Sequence, residues 1–382
     1  MKLVHLSDLH IGKRVNDYSM IEDQKYILDE ILRIIASELP DLIAIAGDVY
    51  DKSVPSAEAV TLFDDFLFAV HKIGIPVFLI SGNHDSPERL AFCNRLIDAS
   101  GIHIAPVYNG SCAPFTLYDR FGKFNVYMLP FVKPATVRRF FPEKTIESVS
   151  DAVRACVENM NVDASERNVI IAHQFVTGAE RSDSEDISVG GADNVDADVF
   201  DAFDYVCLGH IHRPQKVGSE RVRYSGTPLK YSFSEAKDQK SVLIVELKNK
   251  GELLFKTVPL KPLRDMAEIR GSYEKLTLRS FYENTTLCSD YLHITLTDEN
   301  DILNAFSNLR VIYKNLMKLD YDNARTRAQT EFTGAEAVER KSPYKLFNEL
   351  FVMQNGAEMT EEQSEIVKEL IEKIWEGEDE AY

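Results

Sequence analysis

Polar side chains that could bind metal or transfer a proton follow five short apolar runs of the chain, at the point where each run ends. One such group, for example SGNHD after the run VFLI, could be an ordinary turn, because Gly and Asn tolerate left-handed backbone and Asp makes local hydrogen bonds. Five of them in one chain favour a functional site. The residues are Asp8 and His10 after KLVHL, Asp48 and Asp51 after LIAIA, Asn83 and His84 after VFLI, His173 after NVIIA, and His210 and His212 after YVCL.

The side-chain types in this set indicate metal binding. Carboxylate, imidazole and amide oxygen suit hard or borderline divalent cations such as Mn, Fe, Zn or Mg, and the lack of cysteine in the set argues against a soft-metal site. We predict a two-metal centre, in which the ions lie about 3.5 to 4 Å apart and catalyse phosphoester hydrolysis. Asp8, His10 and His212 are assigned to the first ion, Asn83, His173 and His210 to the second, and Asp48 to a bridge between the two.

The elements that position these residues are predicted from the apolar runs and from the helical patterns between several of them. Strands that are apolar throughout are usually buried on both faces, with helices outside the sheet. The carboxyl ends of such strands are where sites form. We therefore expect an α/β fold with the site at the carboxyl ends of its strands.

The order of the motifs identifies a family. D-x-H, G-D-x-x-D, G-N-H-D, a single His and G-H-x-H, in that order, resemble the calcineurin-like metallophosphoesterases. The stretches SVGGADNV, FDYVCLGHIHRPQ and RYSGTPLKYSFSE are similar to those of the SbcD family, the nuclease subunits of bacterial SbcCD complexes. The resemblance extends over nearly the whole chain. It implies a β-sandwich core flanked by helices, a small α+β capping domain and a C-terminal helical pair.

The resemblance also implies an activity. It is that of a DNA nuclease of repair, recombination and replication, with 3′-5′ exonuclease activity on double strands and endonuclease activity on hairpins and single strands. Two Mn²⁺ ions are the implied cofactors, with Mg²⁺, Fe²⁺ or Zn²⁺ as alternatives. A phosphomonoesterase or nucleotidase with the same ions is the alternative function, because the motifs specify the phosphoester but not its leaving group. A non-catalytic scaffold is disfavoured, since no expected ligand is missing.

The implied partners are DNA and SbcC, an ATPase with a long coiled coil, in an SbcC2-SbcD2 heterotetramer. Relatives also pair through the region that here covers the helical patterns 56–72 and 87–100, so a homodimer is expected. The expected location is the cytoplasm, in association with the nucleoid when the protein is on DNA.

By the same resemblance, His84 acts on the substrate and is not a metal ligand. It would stabilise developing charge or give a proton to the leaving sugar oxygen, as general acids do. Asp51 is expected to accept a hydrogen bond from His84 and so to orient it. Asp85 is expected to cap the helix that starts around Ser86.

The remaining basic residues and histidines carry less information. Arg213, which follows GHIH directly, and Lys230 are the preferred candidates for contact with DNA phosphates, although a single cation is more often a solvated surface charge. The other histidines lie inside apolar or helical patterns, where a hydrogen-bonded structural role is expected. They are His5, His71, His103 and His293.

The composition is that of a globular protein with more than one structural unit. The chain has 382 residues, and single cores seldom grow beyond ~250 to 300 residues. No apolar run approaches the roughly 18 residues of a membrane span, and Met1-Lys2 leads into a strand-like run and not into a signal peptide, so an intracellular protein is expected. The five cysteines lack CxxC spacing and are expected to be reduced.

The net charge of −18 does not exclude a phosphate-bearing substrate. Residues 357–382 hold ten acidic residues against two lysines, so a local tail accounts for a large part of the imbalance. Bound divalent cations would also reverse the local potential at the site.

Four segments are expected along the chain. The nuclease domain covers residues 1–262, and a DNA-binding cap covers 263–322, with YLHITL and LMKLDY as strands and a helix from Ile302 to Ile312 between them. A polar linker covers 323–341. A helical pair for SbcC binding covers 342–382, and its second helix begins with the capping-box spacing of Thr360 and Gln363.

Overall fold

Strands and helices alternate along most of the chain. The computed structural model describes residues 1–185, 194–324, 326–327, 344, 347–348, 351–352 and 359–377. Strands β1 to β19 are, in chain order, Lys2–Leu6, Arg14–Val15, Tyr18–Ser19, Leu42–Ala46, Val77–Ile80, Ile102–Ile104, Phe115–Asp119, Gly122–Leu129, Arg167–His173, Phe175–Val176, Asn194–Val195, Tyr205–Gly209, Gln215–Val217, Ser219–Tyr224, Ser241–Leu247, Leu253–Pro259, Met266–Gly271, Tyr291–Leu296 and Leu316–Tyr321. Helices α1 to α10 are Ile21–Glu38, Ala57–Ile73, Pro87–Leu90, Asn94–Ile97, Pro134–Arg138, Val149–Asn159, Tyr273–Thr277, Arg279–Tyr282, Ala305–Ile312 and Glu361–Gly377.

Two six-stranded sheets form the core. The first has the order β16-β15-β1-β4-β5-β6 and the second the order β13-β14-β12-β9-β8-β7. The run from β1 to β6 in the first sheet and the run from β14 to β8 in the second are parallel. Large apolar side chains of both sheets, such as Phe78 and Phe124, share one fully buried cluster. The predicted β-sandwich is therefore confirmed.

Helices cover the outer faces of this sandwich. In α1, the side chains of Ile27, Ile31 and Ile35 recur at four-residue spacing and are buried in the cluster that also holds the outward residues of the first sheet. Helix α6 covers the second sheet in the same way. Strands β4 and β12 and the Val169–Ala172 part of β9 are buried on both faces, which explains their continuous apolar sequence.

The cap is a small three-stranded parallel sheet, β17-β18-β19, with α7 and α9 packed on it. Its own buried cluster includes Leu292, Leu309 and Tyr313. An ion pair joins Arg264, just before β17, to the fully buried carboxylate of Asp23 in α1 at 2.7 Å. The cap is thus attached to the helix that follows the first metal-binding motif.

The segment 87–100 differs from its prediction. It is expected as one helix, but it forms α3, α4 and a short turn of 3₁₀ helix, Asp98–Ser100. Cys93 has a left-handed backbone (φ 60°) between α3 and α4, and this conformation ends the α-helical path. The pattern 56–72 forms α2, whose first turn is capped by the Ser56 hydroxyl.

The tail is described in part. Helix α10 begins with the predicted capping box, in which the Thr360 hydroxyl accepts from the Gln363 amide (3.3 Å) and the Gln363 side chain accepts from the Thr360 amide (3.0 Å). Most of the predicted linker 323–341 and most of the first predicted helix of the pair in 342–382 lie outside the described residues.

Two expectations drawn from composition can be compared with the described residues. None of their helices combines the length and the apolar content that a membrane span needs. The five cysteines all lie in described parts of the chain, and each is a free thiol.

Candidate metal centre

The predicted ligands meet at one end of the sandwich. The first sheet contributes Asp8 and His10 after β1, Asp48 after β4 and Asn83 after β5, and the second sheet contributes His173 at the end of β9 and His210 and His212 after β12. All of these strands run parallel within their sheet, so their carboxyl ends lie on the same side. The site is therefore built from both halves of the core.

Asp8, His10 and His212 form what we call the first donor group. Each offers one ligand atom, and these atoms all lie within 4.8 Å of one another. The Nε2 atoms of His10 and His212 are 3.1 Å apart. Burial lowers the pKa of both imidazoles well below its usual range, so both rings are neutral and can offer a lone pair.

Asn83, His173 and His210 form the second donor group. The amide oxygen of Asn83 lies 3.0 Å from Nε2 of His173 and 2.9 Å from Nδ1 of His210. The carboxylate of Asp48 stands between the two groups, with Oδ2 at 3.2 Å from Nε2 of His173 and at 3.7 Å from Nε2 of His10. This is the place that a bridging ligand would occupy.

Charge is unevenly distributed over these ligands. Burial alone would raise the pKa of Asp48, but the neighbouring His173 and His84 hold it well below its usual range. Burial opposes a charge on His173, yet the Asp48 carboxylate raises the pKa of His173 to about 9. Burial lowers the pKa of His210 to about 3 and raises the pKa of Asp8 to about 7. A divalent cation would compensate the buried carboxylates and compete with these protons.

Buried polar atoms without a hydrogen-bond partner among the described residues indicate that this site fits a pair of divalent cations. One carboxylate oxygen of Asp8 accepts the backbone N–H of His210 at 2.9 Å, but its Oδ2 is buried and has no hydrogen-bond partner among the described residues. Nε2 of His210 is likewise buried, and no described residue bonds to it. Buried polar atoms are normally paired, so such atoms require an explanation, and an ion supplies one.

The backbone around the ligands is strained in a way that brings the donors together. Asp8, His10, Asp48 and His210 all have positive φ, between 44° and 103°, which is uncommon for residues with a side chain. Gly82 and Gly209 allow close approach, since a Cβ on Gly82 would lie 2.1 Å from Oδ1 of Asp48 and one on Gly209 would lie 1.9 Å from the Ala46 carbonyl oxygen. Strain of this kind is typical of functional sites.

Comparison with known proteins assigns the family. Residues 1–214 match the calcineurin-like phosphoesterase family, and residues 262–355 match a domain described as the type 5 capsule protein repressor C-terminal domain. The chain belongs to the calcineurin-like phosphoesterases. A relative from Staphylococcus epidermidis, named as the SbcD subunit of the nuclease SbcCD, is 32% identical over 98% of this chain and 99% of its own.

Two further proteins resemble this phosphoesterase. A protein of the same name from Staphylococcus saprophyticus is 35% identical over 84% of each chain. A solved structure, a dimetal phosphatase from Danio rerio, is 11% identical with a TM-score of 0.42, and covers 69% of this chain and 98% of its own. The family expected from the order of the motifs is thus confirmed by the sequence matches.

In this phosphoesterase, His84 lies at the mouth of the site. Its side chain is 22% exposed, whereas those of His10 and His173 are completely buried. Its Nδ1 contacts the backbone carbonyl oxygen of Asp51 at 3.1 Å, and its Nε2 lies 4.0 Å from Oδ2 of Asp48. The ring is therefore oriented with Nε2 toward the ligands and Nδ1 toward the Asp51 backbone.

Asp51 accepts a hydrogen bond from His84, as expected, through its backbone carbonyl oxygen. The main chain of Asp51 orients the imidazole, while the carboxylate forms an ion pair with Lys13 at 2.7 Å and lies 3.7 Å from Nδ1 of His10. The carboxylate points back toward the β1 loop because the cation is there. Asp51 thus contacts His84 through its carbonyl oxygen and lies beside His10 through its carboxylate.

Asp85 has a larger structural role than the predicted cap. Its buried carboxylate accepts the backbone N–H groups of Val49, Tyr50 and Gly82 at 2.9 to 3.1 Å, so it joins the two loops that carry Asp48 and Asn83. Ser86 caps the following helix instead. Burial raises the pKa of Asp85 to about 6, which the three N–H groups oppose.

The two cations expected to face DNA are engaged by acids of the chain. Arg213 pairs with Asp238 at 3.1 Å and with Glu180 at 3.2 Å. Lys230 pairs with Asp265 at 2.8 Å and donates to the Ala236 carbonyl oxygen at 2.7 Å. In this structure, both side chains connect parts of the protein.

The four other histidines have structural contacts, as expected. His5 is fully buried between the Tyr205 hydroxyl (2.9 Å) and the Leu208 carbonyl oxygen (3.1 Å). The remaining three bond to neighbouring elements: His71 to the Ser100 carbonyl oxygen, His103 to Asp98, and His293 to Glu268 and Asp320.

Proposed function

We propose that this phosphoesterase is the nuclease subunit of an SbcCD-type complex, a metal-dependent enzyme that hydrolyses phosphodiester bonds of DNA. The observation that carries the proposal is the convergence on one site of seven side chains, from both sheets, whose donor atoms could hold metal ions. The relatives of similar length, which are named as SbcD subunits of the nuclease SbcCD, support DNA as the substrate. The proposed reactions are 3′-5′ exonuclease cleavage of double strands and endonuclease cleavage of hairpins and single strands.

The first donor group would hold one ion, the second donor group the other, and Asp48 would bridge them. Such a pair, when bound, activates water and neutralises charge on the phosphoryl oxygens. Mn²⁺ is the proposed ion on the strength of the family resemblance, and the carboxylate, imidazole and amide oxygen donors are compatible with it, as they are with Mg²⁺, Fe²⁺ or Zn²⁺.

The protein's own contribution to proton transfer would come from His84. With Nδ1–H donated to the Asp51 carbonyl oxygen, Nε2 is the nitrogen that would act on the substrate. In the imidazolium form, which carries a hydrogen on both nitrogens, Nε2–H would donate a hydrogen bond to the phosphoryl oxygens or pass its proton to the leaving sugar oxygen. Lys13 keeps the Asp51 carboxylate occupied and so leaves the main-chain carbonyl as the group that orients His84.

The proposed assembly has DNA and an SbcC-type ATPase as partners in an SbcC2-SbcD2 heterotetramer, located in the cytoplasm and at the nucleoid. A homodimer would form through α2 and the segment 87–100. Large apolar side chains exposed there support this, because exposed apolar patches mark interaction sites. They are Val60, Phe68, Phe92 and Leu96.

A nuclease assay tests the proposed function directly. The full chain, alone and with SbcC, is incubated with Mn²⁺ and either linear duplex DNA or a generic phosphate monoester. We expect degradation of the duplex, and loss of this activity in Asp48→Asn, which removes the bridging charge. Turnover of the monoester without cleavage of DNA would instead identify a phosphomonoesterase.

A further inference from the structure

A network of partly and fully buried polar side chains lies on the Nδ1 side of His212. The Ser184 hydroxyl is 2.6 Å from Nδ1 of His212 and also bonds to the carboxylate of Glu235. The ammonium group of Lys240 lies 2.5 Å from that same carboxylate. The opposite ring nitrogen, Nε2, faces His10, the neighbouring member of the first donor group, at 3.1 Å.

The chemistry of these partners selects one tautomer of His212. A serine hydroxyl has one hydrogen, and the Glu235 carboxylate, paired with Lys240, can only accept it. The hydroxyl oxygen is then the acceptor for the proton on Nδ1 of His212. The hydrogen therefore sits on Nδ1, and the lone pair of Nε2 is directed at the first donor group.

The main chain of His212 is held by the same network. Its N–H donates to the Glu185 carboxylate at 2.6 Å. Its carbonyl oxygen accepts from Nζ of Lys240 at 2.8 Å and from the Thr227 amide at 3.1 Å. Ring and backbone are thus fixed together, which leaves Nε2 little freedom of direction.

The burial of this network indicates that it has a role beyond stability. Glu235 is fully buried and Lys240 is 4% exposed. The desolvation of a buried ion pair often exceeds its Coulombic gain, so such a pair is weak evidence for stabilisation. Both members here reach His212, one through Ser184 and one directly.

We propose that Ser184, supported by Glu235 and Lys240, is a positioning residue that fixes His212 with Nδ1 protonated and Nε2 open to the first metal ion. The inference rests on the proposed metal centre and deepens it. It also gives a role to the stretch RYSGTPLKYSFSE, which contains Thr227 and Glu235. Tyr231 of this stretch donates its hydroxyl to the Leu9 carbonyl oxygen at 2.7 Å, next to Asp8 and His10.

Calorimetric titration of the chelator-treated full chain with Mn²⁺ tests the inference. Losing a partner of a metal-binding histidine typically costs 10- to 100-fold in affinity. We expect Ser184→Ala to weaken one of two Mn²⁺ binding steps by about that factor and to leave the other within about twofold. Ser184→Thr keeps a hydroxyl and should restore the affinity. Ser272→Ala is the control, because the Ser272 hydroxyl accepts from the Lys275 amide in the cap and takes no part in this network.

The outcomes separate this inference from the proposed function. If the parent chain binds no Mn²⁺, the metal centre itself is wrong. If the parent binds two ions and Ser184→Ala binds both equally well, the positioning role is wrong. Equal weakening by Ser272→Ala would also overturn it, because the effect would then not depend on the contact with His212.

A spectroscopic measurement covers the case in which Ser184→Ala does not fold. Nitrogen NMR of the metal-free parent, labelled at histidine and assigned with His212→Gln, reports the tautomer of His212 directly. We expect the proton on Nδ1. A proton on Nε2 would overturn the inference whatever the variants do.

Discussion

Asn83 and His84 are neighbours in the chain with different surroundings. The Asn83 amide oxygen lies within 3.0 Å of two buried imidazoles. His84 is turned toward the mouth and is held by the Asp51 main chain. An amide turned into the candidate site and an imidazole at its mouth can therefore follow one another directly, because successive side chains leave an irregular strand end in different directions.

The first prediction concerns this division of labour. His84→Ala should keep Mn²⁺ binding and lose most DNA hydrolysis, since general acid catalysis typically contributes 10²- to 10⁴-fold. His210→Ala should lose the second ion as well, because it removes a buried donor. Calorimetry with Mn²⁺ beside a duplex cleavage assay distinguishes the two variants. A folded His84→Ala chain that binds no Mn²⁺ would show that His84 is a ligand.

The second prediction concerns pH and His5. Burial lowers the pKa of His5 to about 3, whereas in the unfolded chain its pKa is near 6.5. The unfolded state therefore binds more protons between these values, so the stability that His5 contributes is complete above pH 6.5 and is lost as the pH falls toward 3. Urea unfolding at pH 7 and at pH 5 measures this. Between these two pH values, the free energy of unfolding should fall less in His5→Gln than in the parent, by about 1 to 2 kcal/mol.

His71→Gln is the control for that comparison. His71 is exposed, and its ring bonds to the Ser100 carbonyl oxygen. Its replacement should leave the pH dependence of the free energy of unfolding unchanged. An equal effect of the two substitutions would mean that burial of His5 does not cause the acid sensitivity.

Among the structural elements, α2 and the broken segment 87–100 present an apolar surface near the Asn83 loop. Phe92 and Leu96 are 76% and 77% exposed, and Phe68 on α2 is 56% exposed. The break at Cys93 does not remove this surface, since Phe92 and Leu96 lie on either side of it. An interface here would connect two copies close to their ligand loops.

The third prediction is that Leu96→Asp weakens self-association of the isolated chain, because it places a charge in the apolar contact. Sedimentation velocity at micromolar concentration, with and without DNA, measures this. Leu303→Asp is the control, as Leu303 is 83% exposed in the cap. A parent chain that stays monomeric at high micromolar concentration with DNA would contradict the proposed dimer.

Elements with a strong local pattern were predictable from the sequence. YLHITL and LMKLDY form β18 and β19 with the predicted bounds. The seven candidate ligands could be selected from the sequence because each follows or ends an apolar strand. The break in the segment 87–100 could not be predicted, because helix periodicity does not indicate a residue with left-handed backbone such as Cys93.

Contacts between loops that are distant in the chain could not be predicted from local sequence patterns. Ser184 contacts His212, and Glu235 reaches His212 only through Ser184. Ser184 and Glu235 are 51 residues apart in the chain, and neither belongs to the motifs that place the candidate ligands. The Asp51 carboxylate turns to Lys13 because the β1 loop folds beside it, which no local pattern shows. Side-chain direction at strand ends depends on the tertiary structure.

At the scale of the whole molecule, the tail forms a unit of its own that includes residues 324–382. Ile366 and Leu370 lie one helical turn apart in α10 and are 52% and 51% exposed. The fourth prediction is that deleting 342–382 leaves a folded Mn²⁺ nuclease that no longer co-purifies with SbcC, since such an apolar stripe suits a helix-in-groove contact. Affinity purification of SbcC with each chain measures this.

Two point variants sharpen that experiment. Ile366→Asp should weaken SbcC binding, because it places a charge on the stripe, whereas Glu362→Gln, on an exposed position of the same helix, should not. Unchanged SbcC binding by the truncated chain would refute the docking role. Loss of folding on truncation would show that the tail packs on the nuclease.

The two sheets contribute different ligands: all the carboxylates come from the first sheet, and the second contributes only imidazoles. Ions bound between them would act as cross-links across the sandwich and would oppose sliding of one sheet over the other. The ligands span residues 8 to 212, so nearly the whole core must assemble before an ion can bind all of its ligands. Mn²⁺ at 100 times its dissociation constant should then add about 2.7 kcal/mol per bound ion to the free energy of unfolding, and a chelator should lower the melting temperature of the parent but not that of Asp48→Asn.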